Sequence, residues 1–330
     1  MRKDHPSPRA SQAQRGPLEG GQLLDEGHDA VFTPDWPIDV RRILVRDRRG
    51  TGDPTLRLAE DGVWRTTSTP DGPATVRLSG GSAAVRVQAW GPGADWAGAT
   101  AARWLGADDR IDGFDAAAHP LVERLHRSTP WLRLGSTGRV WDAALPAVLE
   151  QKVTGIEAHR TWRELLRLAG EPAPGPAPEG MRVLPTPERV LGVTDWQWHA
   201  CGLDGARRRA LRAVASVASR LEVTEFGDHE DDCALLRRRL QSVPGIGVWT
   251  AAEVVQRALG CPDEVSVGDY HLKNLVGWSL AGRKTDDAGM LELLEPWRGH
   301  RQRVVRLLGI GGSMPPKRGP RMAPTDYRRF

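Results

Sequence analysis

The apolar pattern of this chain changes period once, near Asp112, and that change constrains the fold more than any other feature. Ahead of it, "TLRLA", "VWRTTST", "ATVRLS" and "AVRVQAW" alternate apolar and polar residues, separated by "EDG", "PDG" and "SGG". A period of two is that of half-buried strands, and Gly-containing turns let each run fold back on the last. An antiparallel meander is expected. "ADWAGATAARWLGA" has helical spacing and should lie against that sheet, and "PDWPIDVRRILVRD" predicts a short helix opened by Pro37. Beyond Asp112 the apolar residues of "HPLVERLHRS", "RVWDAALPAVLEQKVTGIEAHRTWRELLRLAG", "TPERVLGV" and "GARRRALRAVASVASRLEV" recur at helical spacing, interrupted by a linker, "EPAPGPAPEG". The expected fold class is α+β. A disordered tail covers residues 1–30, a small antiparallel-sheet domain 31–110, an all-α domain 111–312 and a basic tail 313–330.

The 330 residues suffice for two domains with separate cores. No run of about 18 apolar residues is present, and the first thirty residues lack an apolar signal-peptide stretch, so no membrane partner is expected. Cys201, Cys233 and Cys261 are odd in number and far apart. That pattern predicts reduced, buried thiols in a cytoplasmic protein, with neither a disulfide framework nor a zinc knuckle. The formal charge is only +4, but residues 298–330 carry Arg298, Arg301, Arg303, Arg306, Lys317, Arg318, Arg321, Arg328 and Arg329 against the single acid Asp326. Such a run is the expected footprint of phosphate binding.

The stretch "VPGIGVWTAAEVVQ" breaks one helical pattern and starts another. Leu236, Leu240 and Val243 form an apolar stripe before it, and Ala251, Val255, Ala258 and Leu259 another after it. Two readings of Pro244, Gly245, Ile246, Gly247 and Val248 stand. Glycines at positive φ let the turn and the following helix aim their N–H groups at an anion such as a DNA phosphate. Alternatively, this is an ordinary αα-hairpin with Ile246 as a core plug. Further on, "SVGDYHLKNLVGWSL" starts a third helix with Asp269 at its N-cap, where the helix terminus favours a carboxylate.

The segment "LQSVPGIGVWTAAEVVQRALGCPDEVSVGDYHLKNLVGWSL" resembles the helix-hairpin-helix DNA glycosylases, and within them the 3-methyladenine DNA glycosylase II type. The hairpin glycines, Trp-Thr-Ala, and the acid of Gly-Asp-Tyr twenty residues after Trp249 carry the resemblance. Weaker similarity through "LEQKVTG" and "LLEPWRGHRQRVVRLL" extends it to roughly residues 31–312. It implies a TBP-like N-terminal domain and a bacterial, nucleoid-associated base-excision-repair enzyme, a monomer acting on double-stranded DNA with damaged bases. Asp269 would stabilise the oxocarbenium-like sugar as an extruded alkylated purine leaves. Relatives that also cut the strand hold a lysine where this chain has Trp249, and indole has no amine for a Schiff base, so a monofunctional enzyme without AP-lyase activity is implied. Lys273 reads as a solvated lysine.

By the same resemblance Trp249, Tyr270 and, from the other domain, Trp36 would line a base pocket attractive to cationic alkylated bases. Gln151 and Lys152 are the candidates for the wedge that fills the gap in the duplex. The match thins at Glu253, where better-known members have a tyrosine, and at Leu307 and Leu308, where they have an aromatic pair. No cofactor is expected. The four cysteines of iron–sulfur relatives are missing beyond Cys261, the histidines form no metal pattern, and only a monovalent cation on the hairpin carbonyls is open. The rival readings are a non-catalytic DNA-binding or lesion-scanning protein and a bifunctional oxidised-purine glycosylase.

Overall fold

The computed structural model describes residues 19–24, 27–222, 229–316 and 326–329. Among them, strands β1 (Glu19–Leu24), β2 (Gly27–Phe32), β3 (Leu56–Ala59), β4 (Gly62–Thr69), β5 (Gly72–Gly81) and β6 (Ala84–Trp90) form one antiparallel sheet in the order β1-β2-β6-β5-β4-β3. The last four strands are the alternating runs of the sequence. Within β4 to β6, Val63, Val76, Leu78, Val85 and Val87 are all sealed on one side. The first two correct the boundary expected at residue 31, because residues 19–24 and 27–30 belong to strands and not to a tail. β2 pairs with β6 along its whole length, and Arg86 of β6 donates from Nε to Asp29 Oδ1 at 2.9 Å. Its polar residues, Asp29 beside Arg86 and His28 against α2, look in sequence like a solvated tail.

Helix α1 (Val40–Leu44) is capped by Asp39, whose carboxylate accepts from the Arg42 N–H at 3.0 Å, so the cap and not Pro37 sets its start. Helix α2 (Ala94–Trp104) lays Ala94, Ala97 and Ala101 on the sheet, small residues that permit close approach. The chain continues through α3 (Pro120–Ser128), α4 (Val140–Leu149), α5 (Gly155–Ala169), a hairpin of β7 (Glu171–Pro172) and β8 (Arg182–Val183), α6 (Pro187–Gly192), α7 (Asp195–Ala200), α8 (Gly205–Leu221), α9 (His229–Gln241), α10 (Val248–Ala258), α11 (Leu272–Ala281), α12 (Asp287–Leu294) and α13 (Arg301–Gly311). The expected linker around residue 175 is this β7–β8 hairpin. It is tied to the sheet by the Arg182 N–H donating to the Pro54 carbonyl at 2.7 Å and by Thr66 Oγ1 donating to the Arg182 carbonyl at 2.7 Å.

Two cores result, and they do not divide at residue 110. Trp141, Leu145, Trp162, Trp198, Leu211, Leu240, Ile246 and Val254 belong to a helical core built from α4 to α10. Val76, Val87 and Trp104 of the sheet side share the other core with Val122 of α3, Val276 of α11, Met290 and Leu294 of α12, and Leu307 of α13. The last helices therefore return to the first domain. Helical periodicity shows that a face is buried but not against what, so residues 111–312 read as one unit in sequence.

Two further expectations change. Cys233 on α9 and Cys261 just past α10 are joined as a disulfide, their Cα atoms 6.2 Å apart, because the helical hairpin brings together residues 28 apart in sequence. Only Cys201 is a free, buried thiol among the described residues. The basic run from Arg298 is not an open phosphate-binding face either. Arg298 donates to Glu295 at 2.8 Å and Arg301 to Asp263 at 2.8 Å, Arg303 is buried against Asp109, and Arg306 turns inward. Lys317, Arg318 and Arg321 lie outside the described residues, but Arg328 binds Asp326 at 2.8 Å and Tyr327 lies under the Arg207 guanidinium at 5.6 Å, which brings this part of the tail against α8. Among the described residues no helix is long and apolar enough to cross a membrane.

Candidate active site at the helical hairpin

The turn between α9 and α10 combines both readings left open by its sequence. Ile246 is buried in the helical core, whereas Pro244, Gly245, Gly247 and Val248 are exposed. Its two glycines differ. Gly245 has φ +87°, and a Cβ there would sit 2.6 Å from the Ala210 Cβ of α8, so both backbone and packing require glycine. Gly247 does not take the positive φ expected of it. It is extended, with φ −91° and ψ −178°, and a Cβ on it would meet open space. Gly247 is instead the N-cap of α10, whose first-turn N–H groups receive no side-chain cap. Those groups are left uncapped beside the exposed turn, an arrangement suited to a phosphate oxygen.

A stability comparison separates the two glycines. Gly245→Ala is expected to cost about 1–3 kcal/mol in urea unfolding, from overpacking against Ala210 and a left-handed alanine. Gly247→Ala should remain within about 0.5 kcal/mol of the parent. Equal losses would contradict the turn geometry.

The loop after α4 docks on this turn. Gln151 Nε2 donates to the Gly245 carbonyl at 3.0 Å and to Thr250 Oγ1 at 2.9 Å, so Gln151 braces the hairpin and is committed to it. Lys152 is exposed and has φ +52°, alone in the left-handed region among the described non-glycine residues. The loop is held at both ends, by the close of α4 and by the capping box of Thr154 and Glu157 that starts α5. Of the two wedge candidates, the structure leaves Lys152 with an unengaged side chain on strained backbone, the kind of strain that gathers at functional sites.

Asp269 stands at the other end of the first turn of α10. Its Oδ1 accepts from the N–H groups of His271 at 2.7 Å and Leu272 at 2.8 Å, and its Oδ2 accepts from Trp249 Nε1 at 3.2 Å. The helix itself begins at Leu272 with His271 in the N-cap position, three residues later than Asp269, yet Asp269 supplies the capping bonds. Three donors thus orient a half-buried carboxylate, and one belongs to the residue that follows Val248 on the hairpin helix. Trp249 therefore connects the turn to the acid, a role that its sequence position did not disclose.

The other proposed pocket aromatics are placed apart. Tyr270 is 78% exposed, its ring edge against His271. Trp36 meets Phe32 edge to face and lies under the Arg133 guanidinium at 5.1 Å. Neither ring contacts Trp249, so these three residues do not form a stacked aromatic cage in this structure. Lys273 is not free in solvent as expected, because its Nζ reaches Asp287 Oδ2 at 3.3 Å.

Sequence reasoning missed a set of charged side chains. Trp249, Glu253 and Arg257 lie one turn apart on α10 and form a polar stripe along the seam between the two cores. Glu253 accepts from Ser266 Oγ and from Arg257 Nη1, the latter at 2.6 Å. Arg257 approaches Asp47 at 3.7 Å, Asp47 accepts from Arg65 at 3.0 Å, and Arg46 lies 3.4 Å from Asp47. Burial opposes the Glu253 carboxylate, but the Arg257 charge and the bonds from Ser266 and Arg257 outweigh it and hold it below the usual glutamate range. Burial alike opposes Asp47, and the guanidiniums of Arg65, Arg46 and Arg257 overcome it. The stripe itself, an acid and an arginine at i and i+4 after the tryptophan, was the available signal.

In sequence and in fold the chain is similar to helix-hairpin-helix DNA glycosylases. DNA-3-methyladenine glycosylase 2 of Escherichia coli is 29% identical over 167 residues, covering 48% of this chain and 57% of that protein. A probable bifunctional transcriptional activator/DNA repair enzyme AlkA of Mycobacterium tuberculosis is 27% identical over 157 residues, 47% of this chain and 30% of its own length. The matched region thus spans less than two thirds of either relative. In fold, the chain is similar to a 3-methyladenine DNA glycosylase from Archaeoglobus fulgidus, with TM-score 0.66, 15% identity and coverage of 84% of this chain and 97% of that one. It is also similar to a Clostridium acetobutylicum 8-oxoguanine glycosylase/lyase, with TM-score 0.63, 10% identity and coverage of 88% and 98%. No family model matches the chain.

Proposed function

We propose that the chain is a monofunctional DNA glycosylase, which extrudes a damaged base from duplex DNA and hydrolyses its N-glycosidic bond to leave an intact abasic site. The observation that carries this reading is the Asp269 carboxylate, held by Trp249 and the start of α11 beside an exposed helical turn. As the base departs, positive charge develops on the deoxyribose, and a fixed carboxylate stabilises that charge without reorganising. Water supplies a hydroxyl to C1′ and the proton that the base finally takes. The hairpin would hold the strand through phosphate, and Lys152 would fill the space the extruded nucleotide leaves.

Monofunctional action rests on chemistry at two positions. Trp249 has no amine, and the Lys273 amine is engaged by Asp287. Because the curated relatives include a protein named for 3-methyladenine, methylated duplex is the first substrate to test. Free base should appear by mass spectrometry, strand breaks should require added alkali, and borohydride should trap no covalent adduct. A trapped adduct would establish lyase chemistry instead, and tight binding with no base released from any lesion would establish a scanning protein.

A further inference from the structure

The seam charges are unbalanced. Arg46, Arg49, Arg65, Arg257 and Arg306 outnumber Asp47, Glu253 and Glu150, and these side chains come from the region after α1, β4, the end of α4, α10 and α13. The Arg306 side chain makes no hydrogen bond or ion pair among the described residues, and its Nε is sealed from solvent without a partner. Arg46 has only the long contact to Asp47, Nε to Oδ1 at 3.4 Å. Burial, together with the charges of Arg46 and Arg257, pushes Arg306 well below the ordinary arginine range.

A surplus of buried cations is costly when nothing answers it. Yet Arg46, Asp47, Arg65, Glu253 and Arg257 each keep 12–19% of their side-chain surface open, so solvent reaches the cluster in part. The cluster adjoins the proposed catalytic acid in two ways. Glu253 follows Trp249 by one helical turn, about 6 Å along α10. Ser266, which donates to Glu253, also accepts the Asp269 N–H on its carbonyl at 3.2 Å.

Resting on the glycosylase reading above, we propose that a recess opens beside this cluster in which Arg306 and Arg46 receive the departing base, and that it selects neutral bases bearing a carbonyl oxygen over cationic alkylated purines. A guanidinium fork matches adjacent oxygen and nitrogen acceptors on the edge of a 6-oxopurine. The choice also follows from the leaving group. When the glycosidic bond breaks, its electron pair goes to the base. A cationic alkylated purine leaves neutral, whereas a neutral 6-oxopurine leaves as an anion that needs nearby positive charge. Asp269 would then answer the sugar cation and Arg306 and Arg46 the base anion, while the same guanidiniums repel a base that arrives positively charged.

The test is base release from duplexes carrying hypoxanthine or 7-methylguanine, in the parent, Arg306→Met and Arg46→Met. The parent should favour hypoxanthine in kcat/KM, and either substitution should lower the hypoxanthine-to-7-methylguanine ratio by roughly 10- to 100-fold. A parent that prefers 7-methylguanine, or substitutions that slow both substrates equally, would overturn the proposal while leaving the glycosylase reading intact. Two further readouts do not depend on catalysis. Arg306→Met removes an unpaired interior cation and should raise Tm, whereas a structural arginine would lower it. Free hypoxanthine should raise the Tm of the parent but not of Arg306→Met. If it does so in a protein that releases no base, the recess stands and the enzyme reading falls. Stabilisation by inorganic phosphate, dependent on Arg306 and unmatched by hypoxanthine, would assign the recess to phosphate and refute the base-binding role.

Discussion

Asp269→Asn is expected to reduce single-turnover base release on the order of 10²–10³-fold, the scale set by removing one preorganised electrostatic group from a transition state. The amide retains an oxygen for the N–H groups of His271 and Leu272, so the start of α11 stays capped, but it brings no charge to the sugar. The amide nitrogen would face the Trp249 N–H, and the lost bond should cost about 1 kcal/mol of stability. Affinity for a duplex bearing a neutral abasic analogue should be unchanged, since the proposed function assigns strand binding to the turn at residues 244–248. Comparable activity in the variant would remove Asp269 from the chemistry. Equal loss of binding and release would make it a structural cap only.

Arg303→Ala should cause the largest loss of stability, about 3–5 kcal/mol in denaturant unfolding. Arg303 donates through Nη1 and Nη2 to the two oxygens of Asp109, both at 2.7 Å, and through Nη2 to the Arg110 carbonyl at 2.8 Å. The side chains are only 2% and 1% exposed. The fork joins α13 to the crossing between α2 and α3, so it ties the returning C-terminal helices to the domain they cover. Truncating the arginine leaves Asp109 charged and buried with only the Leu134 N–H, at 3.0 Å, as a further donor. Replacing the pair by Arg303→Met with Asp109→Leu should recover much of the loss, because the apolar pair leaves no interior charge unanswered. A single-variant loss under about 1 kcal/mol would show the pair to be dispensable.

The sequence carried the parts of the fold that depend on local period. Strands β3 to β6 were legible because Val63, Val76, Leu78, Val85 and Val87 alternate with polar neighbours between Gly-containing turns. β2 was not, since Asp29 needs Arg86, distant in sequence, to make sense of its place in a strand. The turn between two helices was legible from its glycines, and so was an acid capping the start of α11. The bond between Trp249 and Asp269 was not, because spacing does not tell where an indole N–H points. Charge counting failed at Arg303 and Arg306, which read as part of a basic surface and instead enter the interior, one to meet Asp109 and the other with no partner. The Cys233–Cys261 pairing escaped for a related reason, in that an odd count and wide spacing carry no information about which helices fold side by side.

A direct measurement compares binding of two abasic-site duplexes, one with a cationic nitrogen at the anomeric position and one with a neutral ring. The cationic analogue should bind the parent at least about tenfold more tightly, the equivalent of about 1.4 kcal/mol from one fixed carboxylate, and Asp269→Asn should bind both alike. Equal affinity of the parent for the two duplexes would mean that the carboxylate does not face the sugar, and the account of catalysis would be wrong.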